Sequence, residues 1–95
     1  MAIKRITISD GPRVDQDRVS LPAGDEIEFV PARPDLKFDV TFDQARSPFN
    51  DHHFHNREAN KHRTGGAKPG HKGEHKYDVK IGDQLLDPII IVEGP

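Results

Sequence analysis

The sequence predicts an all-β fold, an antiparallel sandwich or barrel of short strands, and three stretches carry that expectation. Between Leu36 and Phe42 the apolar residues Leu36, Phe38, Val40 and Phe42 alternate with Lys37, Asp39 and Thr41. This is the period of a strand with one buried and one wet face. Tyr77, Val79 and Ile81 alternate with Lys76, Asp78 and Lys80 in the same way. Four consecutive branched residues, Ile89 to Val92, suit a strand buried on both sides, and such a strand must be covered by others. On this reading Leu36, Phe38, Val40, Phe42, Tyr77, Val79, Ile81, Ile89 and Ile91 share one core.

The remaining elements follow in order. Ile6 and Ile8 alternate with Arg5 and Thr7 in a first strand that ends at the turn Ser9-Asp10-Gly11-Pro12. Val19 and Leu21 mark a short second strand, closed by Pro22-Ala23-Gly24-Asp25. Ile27 and Phe29 alternate with Glu26 and Glu28 in a third. The connection Pro31-Ala32-Arg33-Pro34-Asp35 is stiff, because each proline fixes its own φ and restricts the residue before it. Gly82-Asp83-Gln84 is the turn between the last two strands, and Asp87-Pro88 begins the final one.

Composition bounds what such a sandwich can be. The 95 residues support one hydrophobic core, so a single domain over 1–95 is expected. Without cysteine the chain has neither disulfides nor a thiolate ligand. A net charge of −2 excludes a globally basic nucleic-acid binder. No apolar run approaches the ~20 residues of a membrane span. Met1 to Arg5 already reads as strand and lacks an apolar signal region, so the expected location is cytoplasmic unless a leader has been removed.

Residues 43–74 break the strand pattern and are expected as a histidine-rich, partly mobile insert. All six histidines lie between Asp43 and Lys76, with seven Lys or Arg against four Asp or Glu. Ser47-Pro48-Phe49 and Phe54 offer apolar anchors, with His53 and His55 facing away from Phe54 if Asp51–Asn56 is a short strand. From Asn60 to Gly73 almost nothing is apolar and glycines loosen the backbone, the composition of a mobile stretch.

The histidines are the one cluster with ligand chemistry. His53 and His55 form an His-x-His pair, and His71 and His75 are spaced four apart. These four are the candidate metal ligands. Neutral imidazole suits Cu(II), Zn(II) and Ni(II), and Asp51, Glu58 or Glu74 could add a carboxylate. The spacing matches no named zinc motif, and a solvated, flexible loop rich in His, Lys and Asn is the plainer reading of it. Between Asn56 and Lys76 no aromatic residue interleaves the basic ones, so base stacking is not expected. Ser47 and Thr64 are hydroxyls near histidines, but no local signature makes either a nucleophile, and the chain is not expected to be an enzyme.

Gly24-Asp25-Glu26-Ile27-Glu28-Phe29, Phe38-Asp39-Val40-Thr41-Phe42, the strand containing Tyr77 and the final aliphatic strand together resemble a cupredoxin, the Greek-key sandwich of the blue copper proteins. The likeness covers roughly residues 1–42 and 75–95. It implies a cupredoxin-like Greek-key β-sandwich of about seven strands with a long histidine-rich insert, and a periplasmic location if a leader has been removed. It does not extend to the copper ligands. Phe38 stands where the family's first His would be, Val79 stands where its Cys would be, and Gly82–Asp87 holds neither His nor Met. A type 1 centre needs a thiolate, so this chain resembles a member without one. The resemblance also puts Pro31–Asp35 and Gly82–Asp87 at the family's copper end and His75 at the opposite end.

Two functions are therefore expected. The first is a non-catalytic module that holds copper, zinc or nickel through the histidine insert, in a storage, delivery or sensing role. The second is a metal-free interaction domain whose basic loop docks on an acidic protein or on a second copy of the chain.

Overall fold

The computed structural model describes residues 2–93, so residues 1, 94 and 95 of the expected domain lie outside it. The described chain is all-β: nine strands in two sheets and no helix. The strands are β1 (Ile3–Ser9), β2 (Arg13–Val14), β3 (Arg18–Pro22), β4 (Glu26–Pro31), β5 (Asp39–Phe42), β6 (His53–His55), β7 (Gly73–Ile81), β8 (Gln84–Leu86) and β9 (Ile89–Glu93). The smaller sheet has the order β2-β1-β4. The larger runs β3-β9-β7-β5-β6, with β8 beside β7.

Both sheets are mixed, where alternation alone predicted antiparallel ones. β1 pairs with β4 in parallel, and β3 pairs with β9 in parallel. The cause is the order in which the chain visits the sheets. After β1 and β2 it crosses to place β3 in the larger sheet, then returns to place β4 beside β1. Such a crossover is what parallel neighbours require, and a tight hairpin cannot supply it.

β7 lies at the centre of the larger sheet and forms one long hairpin with β8 and β9. Ile81 pairs with Gln84, Val79 with Leu86, His75 with Ile90 and Gly73 with Val92, all in one unbroken register. The two-residue turn Gly82-Asp83 sets that register, with Gly82 at φ 59°, as a tight hairpin demands. Pro88 interrupts the ladder because it has no N–H to donate, while its carbonyl still accepts the Tyr77 N–H at 3.1 Å. Half of the stretch Gly82–Asp87, expected as a loop, is therefore strand, Gln84–Leu86.

The same register corrects the expected core. Directly paired residues face the same side, so odd residues of β7 share a face with even residues of β8 and β9. Ile90 and Val92 are buried, whereas Ile89, Ile91 and Ile81 are half-buried. Leu36, Phe38, Val40, Phe42, Tyr77 and Val79 are in the core as expected. Ile6, Ile8, Val19, Leu21, Ile27 and Phe29 close it from the other strands.

The insert is laid against the sandwich. Phe49 and Phe54 are buried and meet Phe42 edge-on, with ring centroids 5.3 and 6.0 Å away, and Phe42 stacks on Tyr77 at 5.0 Å. Burying two phenylalanines in this way contributes about 3–6 kcal/mol. Beyond them the chain returns along the free edge of β4. The Phe29 N–H donates to the His62 carbonyl (2.8 Å), and the Thr64 N–H to the Ile27 carbonyl (2.9 Å). At the next step the Ala67 N–H donates to the Asp25 carbonyl, one residue out of register, and the Gly24 N–H donates to the Ala67 carbonyl, back in it. Gly65, at φ 72°, absorbs the extra residue as a bulge. Thr64 Oγ1 accepts the Ile27 N–H at 2.9 Å, replacing the ladder carbonyl. A Cβ on Gly66 would stand 3.0 Å from the Gly24 carbonyl oxygen, so glycine permits this close approach. Residues 62–67 of the insert thus run beside β4 as irregular chain, with one isolated bridge between Glu28 and Arg63.

Two stability measurements test this packing. Ile90→Ala is expected to cost about 2–5 kcal/mol in denaturant melts and Ile91→Ala clearly less, because only Ile90 leaves a cavity. Equal losses would mean the register is wrong. Thr64→Val keeps the shape but strands the Ile27 N–H, and is expected to cost about 1–3 kcal/mol. Amide exchange at Ile27 and Phe29 should accelerate with it. Unchanged protection there would show that the insert does not close the β4 edge.

Candidate functional site

β5 and β6 place a polar cluster on the outer face of the larger sheet. Asp39 pairs with His55 and Thr41 with His53, so these four side chains face outward while Val40 and Phe54 face the core. Asp39 sits at the centre. Its Oδ1 lies 2.9 Å from His53 Nε2, and Arg57 reaches both carboxylate oxygens, Nη1 to Oδ2 at 2.9 Å and Nη2 to Oδ1 at 2.6 Å. The forked guanidinium is the main reason the Asp39 carboxyl is held down at about 2, with the His53 hydrogen bond adding to it against partial burial. His55 lies beside His53, ring centroids 5.2 Å apart, and its Nδ1 accepts the Arg57 N–H at 3.2 Å.

The tautomers follow from these partners. A carboxylate only accepts, so His53 carries its proton on Nε2 and leaves Nδ1 free. A backbone N–H only donates, so neutral His55 carries its proton on Nε2. One imidazole is thus poised as a ligand and the other is engaged. Asn56 steadies the region from behind: its side chain accepts the Phe38 N–H at 3.0 Å and donates to the Leu36 carbonyl at 2.6 Å.

The other histidines lie elsewhere. His62 Nε2 lies 3.2 Å from Glu28 Oε2, and Glu28 is also held by Arg5 at 2.8 Å. These partners, Arg5 foremost, lower the Glu28 carboxyl. His75 Nε2 donates to the His71 carbonyl at 2.7 Å, with the two rings 6.4 Å apart. His75 shares the face of Tyr77 and Val79, the opposite side of the sheet from His53 and His55. The four nominated ligands therefore form two separate pairs. Among the described residues no group of three His, Asp or Glu is arranged to hold a metal ion. Both hydroxyls noted in the sequence are occupied. Ser47 Oγ donates to the Asp51 carbonyl and accepts the Phe49 N–H, while Thr64 Oγ1 bridges Ile27 and Gly65.

Two further groups stand out. Asp78 and Asp87 occupy opposed positions of the central hairpin on the outer face. The hydrogen bond from Asp87 raises the Asp78 carboxyl, with burial and the like charge adding to the shift. Tyr77 Oη is buried without a partner among the described residues, and desolvation raises its phenol. Asp39 and Arg57 were missed in the sequence as site residues. Eighteen positions separate them, and only the outward parity of Asp39 was readable.

Comparison with known protein families, with curated proteins and with solved structures finds no match to this chain.

Opposite pH responses are expected from the two acidic centres. Asp39 is depressed from 3.8 to about 2, so its contribution is intact above pH 4 and lost as pH falls from about 4 to 2. After allowance for exposure it is on the order of 1 kcal/mol, and Asp39→Asn should remove that segment from the acid-stability curve. Asp78 is raised, so its pairing favours the fold below its ordinary 3.8 and is lost as pH rises through the raised value. Asp87→Asn should therefore stabilise the protein at pH 7 and make little difference well below pH 4. A destabilised Asp87→Asn protein at pH 7 would contradict the carboxyl pair. Tyr77→Phe deletes an unpartnered hydroxyl and should leave the melting temperature equal or higher.

Proposed function

We propose that this chain is a non-catalytic binding module of cupredoxin-like build without a blue copper centre, and that it takes a divalent copper or zinc ion at His53 and His55 in a storage, delivery or sensing role. The cupredoxin-like reading is supported by a strand order that passes between two sheets, with β1, β3, β4 and β5 alternating from one to the other. The absence of any cysteine removes the thiolate a blue centre needs.

The observation that carries the metal reading is the Asp39–His53 hydrogen bond. A metal-binding imidazole characteristically gives its second ring N–H to a carboxylate, which fixes the ring and raises its basicity. Here that carboxylate is itself locked by Arg57. Two imidazoles on one ion have ring centres roughly 4.5–5.2 Å apart, from metal–nitrogen bonds of about 2.0–2.1 Å. The observed separation of 5.2 Å fits that range. His55 can join only by releasing the Arg57 N–H or losing its own Nε2 proton, which costs affinity. With two nitrogen ligands and solvent in the remaining positions, binding is expected in the micromolar class and weaker in acid, where protons compete. The basic-loop alternative has fewer free cations than its sequence offered, since Arg57 and Arg63 are held by Asp39 and Glu26.

Calorimetric titration of Cu(II) and Zn(II) into the purified protein tests this reading. One equivalent should bind, His53→Ala should abolish it, Asp39→Asn should weaken it about 10- to 100-fold, and His75→Ala should leave it unchanged. Bound Cu(II) should show only the weak, broad absorption of nitrogen and oxygen ligation. Binding that survives His53→Ala would sink the proposal.

A further inference from the structure

Five of the seven arginines are neutralised: Arg5, Arg18, Arg33, Arg57 and Arg63 each have a carboxylate within 4.0 Å. Arg46 is not among them, and it lines a cleft of about 470 Å³. This cleft forms where β5 and β7 part company. Their ladder ends at Phe42 and Tyr77, and beyond it β7 continues against β9 alone. The departing chain turns sharply at Asp43–Arg46, with the Arg46 N–H on the Asp43 carbonyl at 3.1 Å and the Ala45 N–H on Asp43 Oδ1 at 3.0 Å. That turn presents Arg46 opposite Lys72, His75 and Lys76.

The charge in the cleft is lopsided once Glu74 is set against Arg18 outside it, which leaves Arg46, Lys72 and Lys76 against the single carboxylate of Asp43. Glu74 also lines it but is held by Arg18 at 2.9 Å, and one oxygen of Asp43 is committed to its own turn. Arg46, Lys72 and Lys76 have no carboxylate partner among the described residues. His75 is fixed by its bond to the His71 carbonyl, which leaves Nδ1 unused. The neighbouring cleft, about 360 Å³, shares Phe42, Asp43 and Lys76 but adds Asp78 and Asp87. An extended polyanion would be repelled there, so a ligand for the basic cleft must be compact.

We propose that this cleft is a binding site for a small phosphate-bearing anion. Arg46 supplies a fork suited to two phosphate oxygens, and Lys72 and Lys76 supply point charges. A single carboxylate would satisfy one of the three cations, whereas a compact anion with several oxygens satisfies all of them. The volume suits a small-molecule ligand. The site is separate from His53 and His55 and does not depend on metal binding.

Calorimetry with inorganic pyrophosphate at low ionic strength, where screening is weak, tests the assignment. One saturable equivalent is expected, with Arg46→Ala and Lys72→Ala each weakening it about tenfold. Lys80→Ala, on the same strand but outside the cleft, should bind as the parent does. The ligand should raise the melting temperature of the parent and not that of the Arg46→Ala/Lys72→Ala protein, whose unliganded melting temperature checks its folding. Absence of saturable binding at millimolar pyrophosphate would overturn the proposal, and so would an equal loss in Lys80→Ala. Citrate binding as tightly as pyrophosphate would overturn the phosphate assignment by showing a response to charge alone.

Discussion

The structure depends on the register of the β7–β9 hairpin. β7 is the central strand of the larger sheet, and everything on either side inherits its parity. The register is set locally, by a two-residue turn whose first position only glycine adopts cheaply. A slip of one residue would exchange Ile90 and Val92 for Ile89 and Ile91 in the core. It would also move Asp87 away from Asp78. Pro88 marks the place where the pairing loosens, and the carboxyl pair lies next to it.

A second constraint is the free edge of β4. A two-sheet sandwich with mixed pairing leaves strand edges whose N–H and C=O groups need partners. Here the insert provides them, through His62, Thr64 and Ala67, and the price is a bulge and a borrowed side-chain hydroxyl. Arg63 and His62 then pair with Glu26 and Glu28 on the same strand, so part of the insert's positive charge is used internally. The composition that resembles a disordered loop serves as edge protection, fastened by backbone bonds and two phenylalanines.

The candidate sites follow from these two constraints. Because β6 pairs with β5, Phe54 must face inward and the flanking imidazoles outward, beside Asp39. Because β7 outruns β5, a cleft opens that Arg46, Lys72 and Lys76 line together. The histidines separate by face: His53 and His55 on the outside, His75 on the core side. Strand parity separates His53 and His55 from His75, since a sheet presents alternate residues to opposite sides, and His71 lies beside His75.

Much of the strand content was legible in the chain. Period-two alternation is a local signal, so it identified β1, β3, β4, β5 and β7 and placed most of their inward residues correctly. It also anticipated the inward Phe54 between two outward histidines. It failed at Ile89–Val92, where four branched residues in a row carry no alternation and parity comes only from the partner strand. The bonds that residues 62–67 make along the edge of β4 were not legible either, because they are backbone bonds and leave little apolar pattern to read. The Asp39–Arg57–His53 cluster and the Arg46 cleft were invisible for a related reason. Each joins side chains distant in sequence, and no local preference records a pairing that forms only when β5, β6 and β7 lie side by side. The sequence by itself determined where most of the longer strands lie and that no thiolate site exists. The tertiary structure alone decided which charges neutralise one another and which stay free, because that depends on strand order and register.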